Sequence, residues 1–297
     1  MRIYFSTFFT LLLVLSCIGN GARAQAINQT VTKSFTQNIA SSPSTVFSVN
    51  TEKASIVVTG WDNNYIQIRL SFFASHPDKR IALQELNYMQ YAIAKEKDLV
   101  ELRNVFKLPA AIDHIQSRLE IKMELMVPAK NKLQITNKYG DISITQLSGN
   151  IHVDISFGDL HFMDISGEVA IASSYSDIRG SRINAAVLRC TDEKSKISLD
   201  LEKGNYSFLS KHGDIDLTIK KINALTIKSN RSDITIRPQD MDACRYKIKN
   251  TDGALYLPEK YAGRIIKKGN QTLFTTTGSM SMPMLAVTAT FNSVTIK

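Results

Sequence analysis

Two short alternations of apolar and polar residues recur throughout the second half of the chain. Aligning residues 131–260 at steps of 18–21 residues produces four columns, in which 26 of 28 positions are large and apolar. The repeat centres are Gly140, Gly158, Ser176, Ser195, Gly213, Ser232 and Gly253. The column two residues after these centres reads Ile142, Leu160, Ile178, Ile197, Ile215, Ile234 and Leu255. Period-two alternation predicts two short strands in each repeat, with one face turned inward.

A repeat of this length has too few residues to bury its own apolar face, but it can bury that face against a neighbouring repeat. Parallel pairing of successive repeats would stack them at about 4.8 Å per step. The pattern predicts an all-β protein whose residues 131–260 form a single-stranded parallel β-solenoid of about seven coils. An antiparallel sandwich is the alternative fold. It does not explain repeats of fixed length with aligned columns.

Residues 25–130 have a different pattern, which predicts a β-rich capping region. Strands are predicted where residues alternate, and a helix is expected at Arg80–Met89, where apolar residues fall on one helical face. A hairpin is expected around the turn at 95–98. Residues 261–297 are predicted to cap the other end, because an open solenoid end exposes unpaired backbone.

The first 24 residues resemble an export signal. Met1-Arg2 is followed by an apolar stretch and then by Ala22-Arg23-Ala24, which predicts cleavage between Ala24 and Gln25. A lipid anchor on Cys17 is the alternative, because Leu15-Ser16-Cys17 ends the apolar stretch. No later segment is apolar enough to span a bilayer. The chain is therefore expected in the periplasm, at the outer-membrane surface or outside the cell.

The segment Ala54–Asp62 ends in Gly-Trp-Asp and precedes the repeated Gly-Asp-Ile coils. This combination resembles a family of secreted bacterial proteins known as putative adhesins, from about residue 45 to the end of the chain. The resemblance implies a β-solenoid and an envelope location. It brings no catalytic residues with it.

An aspartate follows several repeat centres. Asp141, Asp159 and Asp177 would stack about 5 Å apart, and their charges would repel one another. Turn chemistry, in which each carboxylate accepts backbone N–H groups of its own turn, is one explanation. A Ca²⁺ ion held by neighbouring carboxylates is the other. No other cofactor is expected.

The predicted binding face combines an aromatic column with the outward residues of the adjacent strands. Tyr139, Phe157 and Tyr175 precede three successive centres, as a sugar-stacking platform or as a packing ladder. The outward residues expected to complete this face are Ser143, His161 and Arg179.

The sequence offers little for catalysis. Neither a His-Glu-x-x-His zinc motif nor a Gly-x-Ser-x-Gly elbow occurs, and coils of uniform length leave no loops to wall a cleft. The net charge of +9 is scattered without a basic stripe, which argues against nucleic acid. Cys190 and Cys244 are predicted not to form a disulfide, because three coils would separate them.

We therefore predict a non-enzymatic, adhesin-like envelope protein that binds a surface protein or glycan. The alternatives are a carbohydrate-active enzyme on the same scaffold, and a periplasmic scaffold or sensor.

Overall fold

The structure is a computed structural model that describes residues 28–110 and 112–297. These residues form 23 strands, joined in one mixed sheet, and two short helices. The predicted leader, its cleavage site at Ala24 and Gln25, and the lipid-anchor alternative at Cys17 lie outside the described residues. The all-β prediction is confirmed.

Ten strands of the middle region supply the central coils. Their bounds are β8 (Lys132–Lys138), β9 (Ile142–Leu147), β10 (Ile151–Ser156), β11 (Leu160–Ser174), β12 (Ile178–Glu193), β13 (Lys196–Leu201), β14 (Asn205–Lys211), β15 (Asp214–Ile219), β16 (Ala224–Asn230) and β17 (Ile234–Pro238). Each coil places one extended segment in each of two walls, and the long strands β11 and β12 run from one wall into the other. We call the wall that contains β8 the first wall and the wall that contains β9 the second wall.

Parallel pairing in the middle region follows the predicted register. In the second wall, Ile142 pairs with Leu160, and the column continues through Ile178, Ile197, Ile215 and Ile234. The column at Ile135 in the first wall runs likewise through Val153, Ile171, Cys190, Phe208 and Ile227. All of these side chains are buried, so each coil stabilises its neighbours by burying apolar surface against them.

The N-terminal region contributes coils of its own as well as a cap. Its strands are β1 (Gln29–Ala40), β2 (Val46–Glu52), β3 (Ala54–Trp61), β4 (Tyr65–His76), β5 (Met89–Glu96), β6 (Leu99–Phe106) and β7 (Arg118–Pro128). Strands β2 and β3 pair in parallel with β8 and β9, which makes residues 46–61 a coil in register with the repeats. The coil of β6 and β7 lies outside it, although it comes later in the chain. Antiparallel strands β5, β4 and β1 then extend the two walls.

The C-terminal end differs from the predicted coil order in the same way. Its strands are β18 (Arg245–Thr251), β19 (Ala254–Tyr256), β20 (Ile266–Lys268), β21 (Gln271–Thr275), β22 (Met284–Thr290) and β23 (Ser293–Ile296). Strand β22 pairs with β16 on one side and with β18 on the other, and β23 lies likewise between β17 and β19. The predicted seventh coil, formed by β18 and β19, is therefore separated from the sixth by a coil formed by β22 and β23. Antiparallel β21 and β20 close the first wall.

Two features of the N-terminal region match the sequence closely. Helix α1 (Lys79–Leu86) begins after Asp78, whose side chain accepts a hydrogen bond from the Arg80 N–H at 2.8 Å and so caps the helix. The predicted hairpin is formed by β5 and β6.

The second helix, α2, spans Glu259–Ala262. Within the described ranges, neither helix has the length and apolar character needed to cross a membrane.

Cys190 and Cys244, the two cysteines among the described residues, carry free, buried thiols. Burial raises the pKa of the Cys190 thiol well above its usual value and also raises that of Cys244. Four strand steps of the first wall, rather than the predicted three, separate the coils of the two cysteines, because β22 lies between β16 and β18.

Candidate functional site

The corner that links the first wall to the second has the same unusual backbone in nine stacked coils. Tyr139, Phe157 and Tyr175 have φ angles of 61°, 58° and 52°, a left-handed conformation that is uncommon for bulky residues. The other members of this corner column are Lys53, Lys194, His212, Arg231, Asp252 and Phe291. The turn therefore places aromatic and basic side chains at its tip.

The residue after the corner is small in most coils, because neighbouring coils approach each other closely there. A Cβ on Gly140 would lie 2.2 Å from the carbonyl oxygen of Ala54, and one on Gly158 would lie 2.2 Å from that of Gly140. These glycines follow the tip residues and have ordinary φ angles. At Gly140 and Gly158 the absence of a side chain permits this close packing of one backbone on the next, whereas other coils hold Ser176, Ser195 and Ser232 at the same position.

The three aromatic rings form a stacked ladder with little free ring face. Adjacent centroids are 5.0 Å and 5.1 Å apart, with interplanar angles of 15° and 12°. Lys138 Nζ covers the Tyr139 ring at 5.3 Å, and Lys194 Nζ covers the Tyr175 ring at 4.6 Å. Although the rings are about half exposed, they present edges to solvent, because their faces meet each other or an ammonium group. This geometry favours the packing ladder over the sugar-stacking platform.

Arg179 offsets the predicted repulsion within the aspartate column. Its guanidinium donates to Asp159 and Asp177 at 3.0 Å each. The third carboxylate, on Asp141, accepts the backbone N–H of Asp159 at 2.9 Å. This bond comes from the next coil, whereas the sequence suggested a bond within the same turn. The positive charge that lies between Asp159 and Asp177 is therefore the Arg179 guanidinium.

The outward residues predicted to bind do come together. Ser143, His161 and Arg179 line one side of a shallow depression of about 400 Å³ in the second wall. Its other lining residues are Thr145, Phe162, Met163, Gly180, Ser181, Ser198 and Asp200. The depression offers hydroxyl groups, an imidazole, a guanidinium, a carboxylate and the exposed thioether of Met163 within one small area.

An irregular stretch of β12 shapes this depression. Register shifts between Gly180 and Ile183, and Arg182 there has a φ angle of 52°. Gly180 occupies an inward column, and a Cβ on it would lie 2.7 Å from Cδ2 of Leu199. The missing side chain therefore leaves room for Leu199 in the core. Bulges commonly re-aim neighbouring side chains in this way.

Metal binding at the aspartates stays a prediction. Within the described ranges, no three His, Cys, Asp or Glu side chains are grouped so that they could hold a metal ion. A Ca²⁺ ion between Asp159 and Asp177 would have to displace the Arg179 guanidinium from both carboxylates.

The family model described as Toastrack DUF4097 matches residues 47–282, which is well over half of the chain. The chain belongs to this family. Strand β1 and the last two strands, β22 and β23, lie outside the matched residues of the Toastrack family. No curated protein sequence matches the chain significantly.

Solved structures similar to this Toastrack protein have low sequence identity. A putative adhesin from Bacteroides fragilis is 10% identical, with a TM-score of 0.46 over 89% of this chain and 97% of the other. A putative adhesin from Parabacteroides merdae is 12% identical, with a TM-score of 0.45 over 89% and 96%. A putative lipid binding protein from Parabacteroides distasonis is 9% identical, with a TM-score of 0.42 over 90% and 96%.

Sequence reasoning missed a buried polar column behind the corner. Its central member is Asp192, which is 3% exposed and accepts a hydrogen bond from Ser210 Oγ at 3.2 Å. The Oδ1 atom of Asp192 has no hydrogen-bond partner among the described residues. Burial raises the pKa of this carboxyl to about 7.

The signal for this column was present in the sequence. In an alternating strand, the position two residues after an inward position also faces inward. The column two residues after the Ile135 column reads Asn137, Ile155, Ser173, Asp192, Ser210, Ser229 and Asn250. Hydroxyl groups line the column: Ser173 contacts Ser195 at 3.3 Å, and Ser210 contacts Ser232 at 3.1 Å between Oγ atoms. We find no ligand chemistry in this column that would replace the depression as the candidate site.

Proposed function

We propose that this chain is an exported, adhesin-like, non-enzymatic protein of the cell envelope that binds a surface glycan or protein. The binding surface is the depression in the second wall, centred on Arg179. Export rests on the predicted leader at residues 1–24, and the adhesin-like role is consistent with the names of the similar structures.

The observation that carries the proposal is the placement of Ser143, His161 and Arg179 on neighbouring parallel strands. Buried Ile142, Leu160 and Ile178 precede these three residues and pair in the same register, so a continuous core supports the surface. A surface built on a packed sheet loses little conformational entropy when it binds a ligand. This arrangement suits recognition of a repeating or extended partner.

The paired carboxylates favour binding over glycoside hydrolysis. Glycosidases need one carboxylic acid that gives its proton to the leaving group, and a second carboxylate opposite it. Asp159 and Asp177 instead both accept hydrogen bonds from the Arg179 guanidinium, so they lie together in one ion-pair network. A ligand that carries hydroxyl or carboxylate groups would meet the guanidinium at the edge of this network.

The test is a binding screen with the intact isolated protein against immobilised glycans and envelope proteins, with and without Ca²⁺. Arg179→Gln should abolish the binding seen with the native chain. The matched control is Arg189→Gln, which removes an exposed arginine from the first wall and should leave binding intact. Equal loss with both variants, or no loss with Arg179→Gln, would refute the assignment of the surface.

A triple change of Asp141, Asp159 and Asp177 to Asn separates the two views of the aspartate column. Binding that needs Ca²⁺ and disappears in this variant would support a cation ladder. Binding that persists without Ca²⁺ in both proteins would make the column structural. Release of a sugar product during the screen would favour the enzyme alternative, while localisation and pull-down would identify a periplasmic scaffold.

A further inference from the structure

The mixed sheet has four free edge strands within the described residues, and three of them are protected. Strands β19 and β20 have three residues each, and β20 carries Lys267 and Lys268. Strand β5 ends in Lys95-Glu96. Short length and charged residues are the usual means by which proteins prevent edges from pairing with other chains.

Strand β1 is the exception. It has 12 residues, pairs only with β4, and contains neither a proline nor a register shift. Apart from the pairing with β4, the backbone of β1 makes one hydrogen bond to other described residues. The carbonyl oxygen of Ala40 accepts it from Lys95 Nζ at 2.8 Å. The second wall continues through β4 and β1 beyond its outermost coil, whereas the first wall continues only through β5. The free edge of β1 is therefore the outermost backbone at this end of the stack.

The side chains of β1 are suited to pairing with themselves. Val31, Phe35 and Ile39 lie on the face turned to the core, separated by polar residues. Antiparallel pairing about a twofold axis at Phe35 would place Phe35 opposite Phe35 of the second copy and Val31 opposite Ile39. It would also place Lys33, the single charged residue of the strand, opposite Gln37. Residues directly opposite each other share a face, so this register joins the apolar faces of the two copies without facing like charges.

The surroundings of Phe35 point to a partner that completes an apolar surface. Its ring lies 4.8 Å from that of Tyr91, which in turn stacks on Phe72 at 5.9 Å. Phe35 is only half-buried, and no described strand pairs with β1 beyond it, although helix α1 packs against both β1 and β4. A second Phe35 at this edge would extend the aromatic cluster across the twofold axis.

We propose that β1 is a homodimerisation strand, which pairs antiparallel with β1 of a second copy about Phe35 and joins two second walls into one continuous sheet. The eleven residues that pair in this register, 30–40, would span about 36 Å. The inference is independent of the ligand bound at the depression.

Sedimentation velocity of the intact protein over a range of concentrations tests the proposal, with a dimer expected. Ser34 and Thr36 lie opposite each other in the dimer, so the double variant Ser34→Glu/Thr36→Glu sets four carboxylates face to face and should give a monomer. Glu at position 36 also faces Arg69 within the chain, so the fold should be retained, with an unchanged circular dichroism spectrum. The matched control Ser207→Glu/Thr218→Glu adds the same charge on other exposed strands and should remain dimeric.

Disulfide trapping tests the register. Phe35→Cys should form a covalent dimer under mild oxidation, because the substituted positions face each other on the axis. Lys33→Cys should not, because the two copies of position 33 are four residues out of register. A monomeric native chain, a dimer that survives the paired glutamates, or trapping through Lys33→Cys in preference to Phe35→Cys would each overturn the proposal.

Discussion

The central coils and the two ends of the stack obey different rules of order. Between residues 132 and 238, each coil pairs with the one that follows it in the chain. At the ends this order is reversed. The coil of residues 46–61 lies inside the coil of β6 and β7, and the coil of residues 284–296 lies inside that of β18 and β19.

This difference shows how the chain protects its ends. A coil formed by the last residues of a chain would fray if it were also the last coil of the stack. Here the C-terminal strands have paired neighbours on both sides, and an internal segment with antiparallel strands forms the outer layer. In the central coils, each strand pairs with strands of the coils next to it in sequence. At the ends of the stack, strands also pair with segments that are distant in the chain. Four predictions probe this contrast.

The largest effect is expected where central coils touch through glycine. In Gly158→Ala the new Cβ would lie 2.2 Å from the Gly140 carbonyl oxygen, a backbone atom that cannot move aside. The free energy of unfolding should fall by about 3 kcal/mol or more, measured by urea denaturation. The control is Gly263→Ala near the C-terminal end, where no atom lies within 4 Å. A loss below 1 kcal/mol at Gly158, on the order of a typical surface change, would mean that the coils are further apart.

Leu285 tests the position of the inserted C-terminal coil. It is fully buried and pairs with Leu225 of a central coil, so Leu285→Ala and Leu225→Ala should each cost about 2–5 kcal/mol. Leu255 in the outer coil is 9% exposed, so Leu255→Ala should cost less. Urea titration of the three variants gives the comparison. If Leu285→Ala were the mildest of them, the inserted order would be wrong.

Asp192 tests the polar column that accompanies the central coils. Its carboxyl has a pKa raised by burial to about 7, from an ordinary value of 3.8. The folded chain therefore binds a proton more tightly than the unfolded chain, and this contribution to stability is lost as pH rises from about 4 through 7. Asp192→Asn should abolish this loss and gain on the order of 3 kcal/mol over the native chain between pH 4.5 and pH 8. Parallel pH profiles for the two proteins would contradict the burial of a titrating carboxyl.

The smallest effect on stability is expected at Arg179. Its ion pairs with Asp159 and Asp177 are exposed, and such pairs contribute at most about 1 kcal/mol each. Arg179→Gln should therefore leave the thermal unfolding temperature nearly unchanged, with Arg189→Gln as the control. A large fall for Arg179→Gln alone would assign the residue to the fold rather than to binding.

Much of the central architecture could be predicted because alternation fixes which side chains face inward. The register of Ile142, Leu160 and Ile178 follows directly from the spacing of the repeats and is confirmed. The exchange of coils at the ends could not be read in the same way. The alternation in residues 284–296 identifies which side chains face inward. It does not identify the neighbouring coils, because every coil of this stack has the same pattern of inward apolar residues.

The site was predicted in part. Ser143, His161 and Arg179 were selected as outward residues, and they line one depression. The role of Arg179 between two carboxylates depends on side-chain reach across coils, which spacing does not reveal. Asp192 lies three residues before its repeat centre, in a column whose mostly polar residues lack the apolar signature of the other inward columns.

The most direct test of the account is the affinity of the native chain and of Arg179→Gln for the partner found in the screen, measured side by side by isothermal titration. The account predicts binding by the native chain and by Arg189→Gln, and a loss of at least about tenfold for Arg179→Gln, which corresponds to 1.4 kcal/mol. Equal affinity of all three proteins would show that the depression in the second wall is not the binding surface.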